Sequence, residues 1–156
     1  MKKLFKGFIA LAASAMMFCS CSGGDEKTDV SAQKLLSAAL ESGAKFEEME
    51  SVEGEYIKFN YDIEESWYEE FAAQAAGNPA FADEVIVVKA ADSDSLKNIQ
   101  NALNGRIEER KKVLQSYAPV EYDKLSESKV KTEGDYVYLV VGSDTKKAEK
   151  ALEKLF

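Results

Sequence analysis

Glu64, Glu65, Glu69 and Glu70 surround Trp67 and Tyr68, bringing carboxylates close to aromatic rings. Such a group could hold a cation or a sugar. On a strand, however, Glu65 and Glu69 share one face and Glu64 and Glu70 the other, which splits the cluster. The glycine-bearing spacing of a calcium loop is missing. The acids therefore read as a solvated edge that discourages strand pairing. Asp92-Ser93-Asp94-Ser95 has the composition of a metal loop. Asp and Ser just before a helix also accept bonds from its first free N–H groups, and capping explains the run more simply. Ser and Lys are plentiful, yet no strained G-x-S-x-G turn lifts a serine into a nucleophile's place. The chain has no histidine, which removes the Ser-His-Asp triad, His-ligated zinc and the usual base near neutral pH. The reading is a non-enzyme with no catalytic, metal or cofactor residues. Tyr56, Phe59, Tyr61, Trp67, Tyr68 and Phe71 crowd one stretch of sixteen residues. Most are expected in the core. An exposed subset would suit a peptide, glycan or protein, because aromatics dominate interface anchors. Alternation on a strand turns Tyr68 away from Trp67 and Phe71. Tyr68 is thus the expected exposed member and the candidate binding-surface residue.

The two cysteines, Cys19 and Cys21, stand at the end of an export-like segment. Lys2, Lys3 and Lys6 precede an uncharged, mostly apolar stretch of 12 residues, Gly7 to Phe18. A bilayer span needs about 20 apolar residues, whereas a cleaved signal needs about 7–15. Phe18-Cys19-Ser20-Cys21 resembles a lipobox, the cleavage motif of bacterial lipoproteins. The resemblance implies a diacylglyceryl group on the Cys21 thiol and cleavage before it. Cys19 is the poorer candidate because bulky Phe18 stands directly before it. The expected divisions are a signal peptide over 1–20, a flexible tether over 21–30 and one domain over 31–156. Loss of the signal removes three of the 20 basic residues and none of the 28 acidic ones, leaving a net charge of −11. That charge disfavours nucleic acid and holds the domain off anionic head groups.

The elements that must position these residues follow from periodicity. Asp29 or Ser31 caps a helix through about Glu41, with Leu35, Leu36, Ala39 and Leu40 as its stripe. The segment 45–63 is ambiguous: Glu47 to Glu50 is polar, Gly54 interrupts, and Tyr56 to Tyr61 fits either a short helix or a strand. Trp67 to Ala75 and Glu84 to Lys89 read as strands around a Gly77-Asn78-Pro79 turn. Asp92 or Ser93 caps a long helix with the stripe Leu96, Ile99, Leu103, Ile107, Leu114 and Tyr117, ended by Pro119. Within it, Glu108 to Lys112 reads as a solvated face. Lys129 to Thr132 and Tyr136 to Val141 form a hairpin. A last helix then turns Ala148, Ala151, Leu152 and Leu155 to the core. Asp83–Leu103 laid over Asp135–Leu155 matches Val85 with Val137, Val88 with Val140 and Leu103 with Leu155. This echo suggests a ββα unit used twice. The expected fold is α+β: a four- to five-stranded, mainly antiparallel sheet with helices on one face.

Ala82-Asp83-Glu84 before an apolar strand, Arg106, Ile107 and Arg110 on the long helix, Tyr117-Ala118-Pro119, and Gly134-Asp135-Tyr136-Val137 carry a resemblance. They look like a family of small bacterial lipoproteins catalogued as domain of unknown function 4358. The similarity runs over roughly 31–156. It implies an α+β domain on a lipid anchor and brings no activity, cofactor or catalytic residue. The expectation is a lipid-anchored lipoprotein on the extracytoplasmic face of the cell membrane, binding or assembling an envelope protein or cell-wall component. A small-ligand or cell-wall glycan or peptide binder is the first alternative, and an envelope hydrolase the second.

Overall fold

The computed structural model describes residues 30–156. The expected signal peptide, Cys21 and the tether up to residue 29 lie outside them. The elements in chain order are α1 (Ala32–Leu40), β1 (Met49–Ser51), α2 (Glu55–Tyr61), a 3-10 turn (Glu65–Trp67), β2 (Tyr68–Ala76), β3 (Glu84–Ala90), α3 (Ser93–Leu114), α4 (Pro119–Glu127), β4 (Lys131–Glu133), β5 (Tyr136–Val141) and α5 (Thr145–Glu153). The five strands form one sheet in the order β1-β2-β3-β5-β4, with every neighbouring pair antiparallel. This is the α+β, five-stranded antiparallel fold expected.

The helices divide between both faces of that sheet, where one face was expected. Ile86, Val88, Val137, Leu139 and Val141 face α2, α3 and α4 through Ile57, Tyr61, Ile99, Leu103, Ile107, Leu114 and Leu125. Val85, Val87, Tyr136, Tyr138 and Val140 face α1 and α5 through Ala32, Leu35, Leu36, Ala39, Ala148 and Leu152. Strands apolar on both sides need cover on both sides. The ββα order occurs twice, as β2-β3-α3 and β4-β5-α5, but the copies are not equivalent. Val85 faces the α1 side and its match Val137 the α3 side, and α3 and α5 lie on opposite faces.

The caps explain where the helices start. Asp92 accepts from the Asp94 and Ser95 N–H groups at 3.0 and 2.7 Å, so its run is a cap. Ser31 caps α1 from Lys34 N–H, and Glu70 of β2 reaches across to accept from Ala32 N–H at 2.6 Å. One helix-face expectation fails. Tyr117 is 59% exposed, because the chain leaves α3 at Leu114 and Pro119 opens α4 at its first turn. A proline that stops one helix also suits the start of the next, and α4 was not anticipated. In α5, Leu152 takes the fully buried place, while Ala151 and Leu155 are half-buried. The β4–β5 turn places Gly134 at φ +54, a conformation a β-carbon disfavours.

Candidate functional site

The head of β3 is where charge enters the core. Asp83 and Glu84 are buried beside a run of valines and isoleucine, so each needs a partner. Leu103, Arg106, Ile107, Arg110 and Leu114 fall on one face of α3 by their 3- and 4-residue spacing. That face brings two guanidinium groups in with the leucines. Arg106 Nε donates to Glu84 Oε1 and Oε2 at 3.1 and 2.8 Å, and its Nη2 also donates to Oε2. The Tyr61 hydroxyl donates to the same carboxylate at 3.1 Å. Arg106 lies over the Tyr61 ring, 4.1 Å from its centroid, and donates to the Asn60 carbonyl at 2.7 Å. Arg110 donates to the carbonyls of Pro79 and Phe81 at 3.2 and 2.7 Å, fixing the β2–β3 turn. On the α4 side, Lys124 pairs with Asp83 at 2.6 Å and with Glu121 at 3.0 Å. Glu121 also accepts from Ala82 N–H at 2.7 Å.

Burial pushes the Tyr61 phenol well above its ordinary range, with the Glu84 charge adding to it. Burial alone would lower Arg106 and Lys124, but the carboxylates around each outweigh it and raise both. The phenol is therefore held protonated and the cations held charged. These groups lock α2, α3 and α4 to β3. Residue types alone did not single them out as a network. The available signal was a pair of acids abutting an apolar strand, together with arginines spaced into a leucine stripe.

Two grooves open on either side of this lock and share Asn60, Tyr61 and Arg106 as a common wall. The larger, about 610 Å³, runs past Tyr56, Gly77, Phe81 and Arg110. The smaller, about 340 Å³, runs past Phe59, Asp62, Trp67, Asn98, Asn101 and Gly105. Tyr56 and Phe59 are 70% and 80% exposed, and both stand on α2.

Tyr68 does not stand apart from its neighbours. Register slips between Tyr68 and Glu70, so Tyr68 and Phe71 return to the same side of β2. Their rings meet at 5.7 Å, and Trp67, Tyr68 and Phe71 are all half-buried against the α3-side core. Within the aromatic stretch 56–71, the exposed rings are instead Tyr56 and Phe59. The acidic cluster is also dispersed. Glu64 pairs with Lys58 at 2.9 Å, Glu69 with Lys89 at 3.2 Å, and Glu70 caps α1. In the Glu108–Lys112 run, Arg110 turns inward while Glu108, Glu109 and Lys112 are exposed.

A family model described as Domain of unknown function (DUF4358) matches residues 42–142. The chain belongs to this family. No curated protein and no solved structure matches it. The DUF4358 stretch holds the whole ionic lock and both grooves, while α1 and α5 fall outside it.

Proposed function

We propose that this chain is a membrane-anchored, extracytoplasmic lipoprotein whose domain works by binding rather than by catalysis. One observation carries the binding half. The central ionisable side chains are committed to closing the fold, while the groove walls offer aromatic rings and amides to solvent. A phenol held protonated beside a fully bonded carboxylate is poorly suited to act as nucleophile or base, which weighs against the hydrolase reading. The anchor half rests on the lysines, apolar stretch and Ser20-Cys21 junction of the first twenty-one residues. Acyl chains hold a membrane at about 0.8 kcal/mol per buried CH₂, and two give stable anchoring. The domain's partner is then an envelope protein or cell-wall component. Its net charge turns it away from nucleic acid.

Metabolic labelling with a tagged fatty acid tests the anchor. Wild-type protein should take up label, and Cys21→Ala should accumulate as an unlabelled, larger precursor. Label that persists in Cys21→Ala, or that is lost only when Cys19 is replaced, would sink the assignment. A small-ligand binder is the second reading, and the smaller groove favours it.

A further inference from the structure

Gly105 lies inside α3, where glycine weakens a helix relative to alanine. Packing does not account for it. A β-carbon built there meets nothing within 4 Å. Its φ is not among the left-handed ones. No contact within the described residues therefore calls for the missing side chain, yet the bare backbone lines the smaller groove. Glycine at such a place lets something outside the chain come close to the backbone.

The other walls of that groove point to what this is. Asn98, Asn101 and Gly105 share one face of α3 at 3- and 4-residue spacing. Asn98 and Asn101 are exposed and make no side-chain hydrogen bond among the described residues. By contrast, the nearby Asn104 amide bonds the Gln100 carbonyl at 2.8 Å. Each free amide offers two donors and an acceptor. Across from them stand the exposed Phe59 ring and the half-buried Trp67 ring. Asp62, held left-handed at φ 52 where α2 ends, and Glu109 of α3 add two carboxylates. Arg106 is already paired with Glu84, and the protein beyond its signal carries a net charge of −11, so an anionic ligand is disfavoured. Planar amides and two carboxylates beside ring surfaces suit a molecule with a hydroxyl edge and an apolar C–H face. A volume of about 340 Å³ is at the small end of ligand sites.

We propose that the groove between α2 and α3 binds a neutral saccharide of one or two rings, with Gly105 left bare for its approach. This rests on the reading of the domain as a binding module and names its ligand class.

Trp67 is the only tryptophan, so its emission reports this groove directly. The full-length protein in mild detergent is titrated with chitobiose, cellobiose, maltose and a neutral proline-rich peptide. One disaccharide should change Trp67 emission saturably. Gly105→Ala should keep or raise the melting temperature and weaken that response at least tenfold. Asn98→Ala/Asn101→Ala should weaken it similarly, and Tyr56→Ala in the other groove should not. A flat response to all three sugars, or wild-type affinity in Gly105→Ala, would overturn the proposal. Saturation by the peptide in place of a sugar would overturn the saccharide assignment and leave the binding-module reading standing. Chromatography of the sugar after incubation separates the two claims: cleavage products would support saccharide recognition and overturn the non-catalytic reading.

Discussion

Ala82, Asp83 and Glu84 tie the head of β3 to three helices, and the ties are unequal in kind. The Glu84–Arg106 pair is nearly dry, with side chains 6% and 16% exposed. Such a pair contributes little over a well-packed apolar pair, but stripping one partner costs about 3–5 kcal/mol. Its role is to fix how α2 and α3 sit on the sheet, and so to set the shared groove wall. Tyr61 adds a pH dependence. Its folded pKa is raised above the unfolded value near 10. The folded state therefore holds the proton more tightly. The stabilisation is complete below about pH 10 and is lost as pH climbs toward the folded value. Lys124 is raised in the same sense, so both groups weaken the fold in alkali. Urea unfolding followed by Trp67 emission should show a midpoint that falls between pH 8 and pH 11. In Tyr61→Phe the fall should be shallower, since one contributor is gone while others raised in the same sense, Lys124, Lys131 and Tyr138 among them, remain. An equal fall in both proteins would mean the Tyr61 proton is not linked to folding.

Helix faces give a sharper test of packing. Leu103 is fully buried in α3 between β3 and β5, and Leu103→Ala should cost about 2–5 kcal/mol. Leu155, matched to it in the sequence echo, is half-buried past the end of α5. Leu155→Ala should cost less than Leu103→Ala in chemical denaturation. Equal losses would restore the equivalence of the two ββα units. The strands β2, β3, β4 and β5, the caps at Asp92 and Ser31 and the α3 stripe through Leu114 were legible because each leaves a local pattern: alternation, a capping oxygen, a 3.6-residue period. The two-faced sheet was legible too, in principle. Val85-Ile86-Val87-Val88 and Tyr136 to Val141 are continuous rather than alternating, and continuous runs mean cover on both faces. The position of Tyr68 was not legible, since the slip at Glu69 reverses alternation without any proline or glycine to mark it. Nor were the grooves, which arise where the short α2 crosses α3 and depend on contacts distant in sequence. Only their aromatic composition showed in advance, and it singled out Tyr68 where the exposed rings are Tyr56 and Phe59.

At the scale of the whole molecule, one sheet serves two cores. β3 and β5 alternate their side chains between α2–α4 on one face and α1 with α5 on the other. The Tyr136 hydroxyl donates to the Val30 carbonyl at 2.7 Å, which ties the residue before α1 to β5. The grooves lie in the opposite layer, between α2 and α3 and beside β1. The same arrangement decides what can fold alone. The family stretch 42–142 lacks α1 and α5. Without them Val85, Val87, Tyr138 and Val140 would face water, at about 1.5–3 kcal/mol for each large apolar side chain uncovered. A fragment of residues 30–156 keeps both layers and the Tyr136 bond. It contains no cysteine, so it needs no disulfide. It should unfold in one cooperative step, with Trp67 emission and far-ultraviolet circular dichroism giving the same midpoint. A fragment of residues 42–142 should give no such transition and should expose hydrophobic surface to a dye such as ANS. Cooperative unfolding of 42–142 at near the stability of 30–156 would mean that the α1–α5 layer is an accessory, and that the sheet is held by its α3 face alone.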